Sequence, residues 1–334
     1  MSDNTSSIPR WLEEQCFRLR DEGSNLRDLN LNIRRLDPIM MDFFSEALED
    51  NTRIESVNMT SSLSFVNRDG HTDRDILTPL ANAIRRHVSL KTLHLSYNLL
   101  KDATSLGANL EMNQSSLKEL YLDQNRLDNN TVVTLARVIR QNDTLTLLQL
   151  NYNNIGDEGG KIIADALKDN TCLKTLGLAH NSLKSETASS LLRSLECNRN
   201  VTLVRLFLHG NPEFPKSLER TISYLVQANR AGRYLLRNDD GESKSAIAEN
   251  NKRDSDNDKD KNGKKEKKNV VVGGGGDSKR HVLGLWPLVL QRSEPDMVYF
   301  FLVQKPSLVR SSGYDEHQQK MVAESPKRKR AEPL

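Results

Sequence analysis

Between residues 26 and 212 one frame of apolar residues returns at a nearly constant step, which limits the chain to folds built from repeated units. The frame is Leu-x-x-Leu-x-Leu-x-x-Asn-x-Leu. It is clearest at Leu90, Leu93, Leu95, Asn98 and Leu100, and again at Leu117, Leu120, Leu122, Asn125 and Leu127. It returns at Leu145, Leu148, Leu150, Asn153 and Ile155, then at Leu173, Leu176, Leu178, Asn181 and Leu183. A last copy reads Leu203, Leu206, Leu208 and Asn211. Two less regular copies come first: Leu26, Leu29, Leu31 and Leu36, then Ile54, Val57 and Met59. The starts are 26, 54, 90, 117, 145, 173 and 203, with steps of 28, 36, 27, 28, 28 and 30. Leu-x-Leu has the period of a strand, so Leu93 and Leu95 fall on one side of it. The second half of each copy has a helical period. Leu135, Val138 and Ile139 share one helix face; so do Ile162, Ile163, Ala166 and Leu167, and Ala188, Leu191, Leu192 and Leu195. A strand and a helix per copy, both with inward apolar faces, bury a core only against neighbouring copies.

These copies closely resemble the leucine-rich repeat in its long, ribonuclease-inhibitor-like intracellular form. The resemblance implies an α/β fold: a right-handed solenoid, or horseshoe, of about seven repeats over residues 25–212. Parallel strands would line its concave face and helices its convex face, with a disordered C-terminal tail. It also implies a scaffold or adaptor that holds a protein partner in the concave groove, not an enzyme, and without a cofactor. An alternative within the same resemblance is a GTPase-activating protein like the Ran GTPase activator, with Arg34 or Arg68 as the candidate arginine. That family has more repeats and an acidic tail, whereas this tail is basic. Ribonuclease inhibition fits less well, because three cysteines are too few for that branch. A nuclear regulatory adaptor is compatible with the scaffold reading.

Within the frame, Asn98, Asn125, Asn153, Asn181 and Asn211 have a structural explanation. The chain bends sharply after each strand, leaving backbone groups without ladder partners inside the solenoid. A buried unpaired amide costs about 1–3 kcal/mol, and an Asn side chain carries both a donor and an acceptor to satisfy it. The variable positions between the leucines face the other way, towards the concave side. One column reads Asn30, Asn58, His94, Tyr121, Gln149, Gly177 and Phe207. The next reads Asn32, Thr60, Ser96, Asp123, Asn151, Ala179 and His209, and the one after it Ile33, Ser61, Tyr97, Gln124, Tyr152, His180 and Gly210. Tyr and His pair apolar area with a polar handle at small entropic cost, which suits an interface. The candidate partner-binding set is therefore His94, Tyr97, Tyr121, Asp123, Gln149, Asn151, Tyr152, His180, Phe207 and His209.

Solenoid ends need caps. Residues 1–24 read as the N-terminal cap, with a helix over 8–22 that starts near Pro9, buries Leu12, Cys16 and Leu19, and stops at Gly23. Residues 213–237 read as a C-terminal cap, with a helix over 215–236 turning Leu218, Ile222, Leu225 and Val226 inward. The 36-residue step implies an inserted loop near residues 64–73. Residues 238–280 are rich in Asp, Asn, Lys, Ser and Gly and read as a flexible linker. Residues 281–310 turn apolar again and read as two short helices, which dock on the solenoid or on a partner. Residues 311–334 form a basic tail in which Lys327, Arg328, Lys329 and Arg330 resemble a nuclear-import signal.

Charge and chemistry narrow the function further. Residues 1–237 carry 29 basic and 29 acidic residues, so the net charge of +3 lies in the remainder. A neutral repeat region argues against a nucleic-acid surface, which needs a basic stripe to replace phosphate counterions. The N-terminus lacks the pattern of a secretory signal, and the longest apolar run, 297–303, is far short of the roughly 20 residues that cross a bilayer. The expectation is an intracellular, monomeric protein of the cytoplasm and nucleus, neither secreted nor membrane-bound. Cys16, Cys172 and Cys197 match no metal signature and read as free thiols. The segment Gly156-Asp157-Glu158-Gly159-Gly160-Lys161 is one residue too short for a phosphate loop, and Ile162 stands where Ser or Thr is required. No paired histidines or nucleophile motif occur, so metal and catalytic residues are expected to be absent.

Overall fold

The computed structural model describes residues 8–63, 76–127, 129–196, 200 and 202–231. The chain divides into two units, residues 1–230 and 231–334, and nearly all described residues lie in the first. The inserted loop near 64–73, Arg68, Cys197, the linker 238–280, the segment 281–310 and the basic tail with Lys327–Arg330 lie outside the described residues.

Helix α1 (Arg10–Arg20) opens the first unit and buries Leu12, Cys16 and Leu19. Strand and helix then alternate: β1 (Asp28–Asn30), α2 (Pro38–Glu49), β2 (Ser56–Asn58), α3 (Leu77–Ile84), β3 (Thr92–His94), α4 (Thr104–Glu111) and β4 (Glu119–Tyr121). They continue with α5 (Asn129–Gln141), β5 (Leu147–Gln149), α6 (Asp157–Leu167), β6 (Thr175–Gly177), α7 (Ser185–Glu196), β7 (Arg205–Phe207) and α8 (Lys216–Arg230). The strands form a single seven-stranded sheet in chain order, and every adjacent pair is parallel. The register is constant. Leu29, Val57, Leu93, Leu120, Leu148, Leu176 and Leu206 stand opposite one another.

The frame leucines make the core: Leu31, Leu93, Leu95, Leu120, Leu122, Leu148, Leu150, Leu176 and Leu178 are buried. The helices complete it with Phe44, Leu80, Leu106, Leu135, Ile163, Leu191 and Leu225.

Three positions read as inward are corrected. Ile162, Leu192 and Leu218 are only half-buried. In α7 the inward places beside Leu191 and Leu195 go to Ser190 and Ser194. The Ser194 hydroxyl donates to the carbonyls of Ala164, 2.6 Å away, and Ser190, 2.8 Å away. A small hydroxyl that bonds backbone lets adjacent helices approach more closely than a leucine would. The glycines of the apparent phosphate loop serve the same end. Gly160 is buried in α6, and a Cβ there would overlap Thr187 of the next helix.

Candidate functional site

The turn after each strand is closed by an asparagine ladder. Asn98 Nδ2 donates to the carbonyls of Met59 and Leu95, both at 2.9 Å, while its Oδ1 accepts from the N–H groups of Ser62 and Leu63 at 2.7 Å. Asn125, Asn153, Asn181 and Asn211 repeat the pattern, each donating to a carbonyl of its own copy and one of the copy before. In the second copy Ser62 takes the role, its hydroxyl donating to Leu31 O at 2.6 Å.

A second ladder, not anticipated from the sequence, closes the turn from helix back to strand. Asn51, Asn142 and Asn170 each donate to a carbonyl one repeat earlier (Leu19, Leu110 and Ile139) and accept two N–H groups at the start of their own repeat. Asn200 donates to Leu167 O and accepts from Leu203 N. The third repeat uses a histidine instead. His87 Nδ1 accepts from Leu90 N at 3.1 Å and Ser89 N at 3.4 Å. The signal was present in the sequence, because Asn51, His87, Asn142, Asn170 and Asn200 each stand three residues before the first apolar residue of a copy.

Between the two ladders lies the open face of the sheet. Strand alternation places Asp28, Ser56, Thr92, Glu119, Leu147, Thr175 and Arg205 on it, beside the column from Asn30 to Phe207. Glu119 was missed as a candidate because the columns considered began two residues later. One column needs a correction. Tyr97, Tyr152 and His180 are not strand residues. Alternation would put Tyr97 on the same side as buried Leu95. Instead Ile33, Ser61, Tyr97, Gln124, Tyr152, His180 and Gly210 all hold positive φ, between 53° and 75°. This left-handed turn swings their side chains outward, leaving Tyr97 51% and Tyr152 47% exposed. At Gly210 the need for glycine is double, since a Cβ would also overlap the His180 ring.

The one-strand spacing lets rings of adjacent copies meet. His94 and Tyr121 stack with centroids 4.2 Å apart, and Tyr152 and His180 at 4.0 Å. His209 meets His180 edge-on at 5.2 Å. Phe207 stands exposed at the far end of the row. Polar candidates fill the space between. Asn151 Nδ2 donates to Asp123 Oδ1 and Gln149 Oε1, both at 2.8 Å, and its Oδ1 accepts from Ala179 N at 2.8 Å. Asn151 is thus a brace that fixes Asp123 and Gln149. The Tyr121 hydroxyl donates to Glu119 at 3.1 Å. Burial and the two carboxylates push the Tyr121 phenol up to about 12. Burial lowers the His94 pKa, against the pull of Glu119 and Asp123, and burial raises that of Asp123. Arg34, the arginine suggested by the GTPase-activator alternative, lies over the Trp11 ring at 5.2 Å. Cys16 and Cys172 are free thiols. Among the described residues no group of three or more His, Cys, Asp or Glu is placed to hold a metal ion, and no helix is long and apolar enough to cross a membrane.

No family model and no curated protein matches the chain. Solved structures similar to it include leiomodin-1 actin-binding site 2, at 16% identity over 74% of this chain and 99% of that one, with a TM-score of 0.34. Another is the tropomodulin C-terminal domain of Caenorhabditis elegans, at 13% identity over 66% and 93%, with a TM-score of 0.32. A third is an internalin from Listeria monocytogenes, at 19% identity over 60% and 66%, also with a TM-score of 0.32. The fold rests on the chain's own features: a recurrent leucine frame, seven parallel strands in constant register and a ladder of asparagines from Asn98 to Asn211 make it a leucine-rich-repeat solenoid.

Proposed function

We propose that the chain is a scaffold that holds a protein partner across the open face of its sheet, and that it acts by binding rather than by catalysis. The observation that carries this reading is the aromatic row. His94, Tyr97, Tyr121, Tyr152, His180 and Phe207 are at least partly exposed, and two pairs are held in stacks by the strand spacing. Rings fixed in this way lose little entropy when a partner covers them, and an exposed row of them has no part in the core. We infer also that the protein acts as a monomer inside the cell, in the cytoplasm and nucleus. The free thiols Cys16 and Cys172 fit a reducing compartment.

The test is proximity labelling with the full chain beside a variant carrying Tyr97, Tyr121, Tyr152 and Phe207 changed to Ala, after circular dichroism has shown that the variant folds. Each ring at a binding hot spot contributes roughly 1–2 kcal/mol, so the four together should abolish specific labelling. An unchanged set of labelled proteins would sink the reading.

A further inference from the structure

Apart from Asp28 on the first strand, the open face carries its negative charge in one place. Strand β4 presents Glu119 and, just beyond its end, Asp123. The facing positions on β3 and β5 are Thr92, His94 and Ser96, and Leu147, Gln149 and Asn151, so no Lys or Arg stands opposite either carboxylate. Among the described residues neither carboxylate makes an ion pair within 4 Å, whereas Glu55, one repeat-column outward, is paired with Arg27 and Lys91. Glu119 is met by the Tyr121 hydroxyl, and Asp123 by the main-chain and side-chain N–H groups of Asn151 at 2.9 and 2.8 Å. These are neutral donors, which orient the carboxylates and leave their charge uncompensated. Burial lowers the His94 pKa against the pull of these two carboxylates, which disfavours a compensating charge on its ring.

Aromatic faces surround this charge. The His94–Tyr121 stack lies beside Glu119 and Asp123, and Tyr97 and Tyr152 project from the turns on either side of β4, about 10 Å apart at two strand spacings. Half-buried carboxylates flanked by exposed aromatic rings form the complement of a cationic side chain. Carboxylates give charge-assisted hydrogen bonds, and ring faces attract a guanidinium or ammonium group.

We propose that the partner's contact segment on this face is a polypeptide stretch that sets an arginine or lysine side chain against Glu119 and Asp123, with its flanking residues lying over Tyr97 and Tyr152. This rests on the reading that a protein occupies the open face, and narrows it to one recognition chemistry. A basic side chain restores the neutrality that the neighbouring strands lack. The two stacked pairs on either side supply apolar contact for the residues next to it.

The experiment starts from a random dodecapeptide phage library panned on the full chain, followed by fluorescence polarisation with the enriched peptides after synthesis. Each peptide is measured against the parent chain, a Glu119→Gln/Asp123→Asn variant and a Tyr152→Ala/Phe207→Ala variant. Gln and Asn retain the acceptor oxygens used by Tyr121 and Asn151, so they remove charge while preserving the local bonds; unchanged thermal melting checks this. The expected result is enrichment of peptides with at least one Arg or Lys whose change to Gln weakens binding tenfold or more. Binding to Glu119→Gln/Asp123→Asn should fall by a similar factor, with little further loss when both changes are combined, and should weaken as salt rises. Peptides that lose binding only to Tyr152→Ala/Phe207→Ala overturn the basic-segment proposal and leave the open-face reading standing. A library that yields no peptide sensitive to either variant overturns both.

Discussion

At the level of single residues, the left-handed turn is where this sequence departs most from what its backbone favours. Ile33 holds φ 62° with its side chain 72% exposed. A β-branched residue in that region costs roughly 1–2 kcal/mol, and here no core contact offsets it. Ile33→Asn should therefore stabilise the fold by about 1 kcal/mol, read as a higher midpoint in chemical denaturation with an unchanged slope. An unchanged midpoint would show that Ile33 is already relaxed. His87 makes the opposite kind of prediction. Burial lowers its pKa from the ordinary 6.5, with the Leu48 carbonyl pulling the other way. The unfolded chain then binds more protons below that value, so the stability of the neutral, bonded ring is present above about pH 6.5 and is lost as the pH falls. Asn fills the same place in four other repeats. His87→Asn should flatten the loss of stability between pH 7 and pH 5, measured by thermal melting across that range. His94, whose pKa burial also lowers, adds a contribution of the same sign that this variant leaves in place.

At the level of elements, the start of a helix can be fixed by a neighbouring repeat: α2 is capped by its own Asp37, but α7 is not capped from within. Asp157 in α6 does not cap its own helix. Its carboxylate accepts from the N–H groups of Lys184, Glu186 and Thr187 and from the Thr187 hydroxyl, closing the start of α7 one repeat later. Burial would raise its pKa, but these bonds outweigh it and hold the carboxyl below the usual range. Removing an N-terminal cap costs about 0.5–2 kcal/mol. Asp157→Ala should lower stability by that amount near neutral pH. The gap from the parent chain should close as the pH falls through the carboxyl's own lowered pKa, since the parent loses the bonded charge there. A variant that melts like the parent at pH 7 would show that the cap is idle. Elements also set the limit of what the sequence discloses. The strands and helices were legible because apolar spacing reports burial directly, at period two and then at 3.6. Tyr97 and Tyr152 were read on the open side, but the left-handed turn that puts them there was not legible, because it reverses alternation without changing the leucine pattern. The second ladder was partly masked by substitution: His87 takes the place of an asparagine, and in the next repeat Gln114 stands there while the Ser115 hydroxyl accepts from Leu117 N.

Across the whole repeat unit, the candidate surface was legible as columns, and its chemistry was not. Reading residues between leucines located His94, Tyr121, Asp123 and Phe207 on one face. It did not locate Glu119, nor show that Asn151 is consumed in bracing Asp123 and Gln149. Glu119 lay two residues before the columns read, and the bond of Asn151 to Asp123 depends on a neighbour 28 residues away in sequence, brought alongside by the register. The dependence of one repeat on the next has a direction along the chain. The N–H of Leu100 is accepted by Asn125, that of Leu127 by Asn153, that of Ile155 by Asn181 and that of Leu183 by Asn211. These turns are thus each completed by an acceptor that is translated one repeat later. A ribosome adding roughly 5–20 residues per second needs a few seconds to deliver it. While these repeats are being made, the nascent solenoid ends in one unfinished turn, with its amides facing the place that the next asparagine will fill.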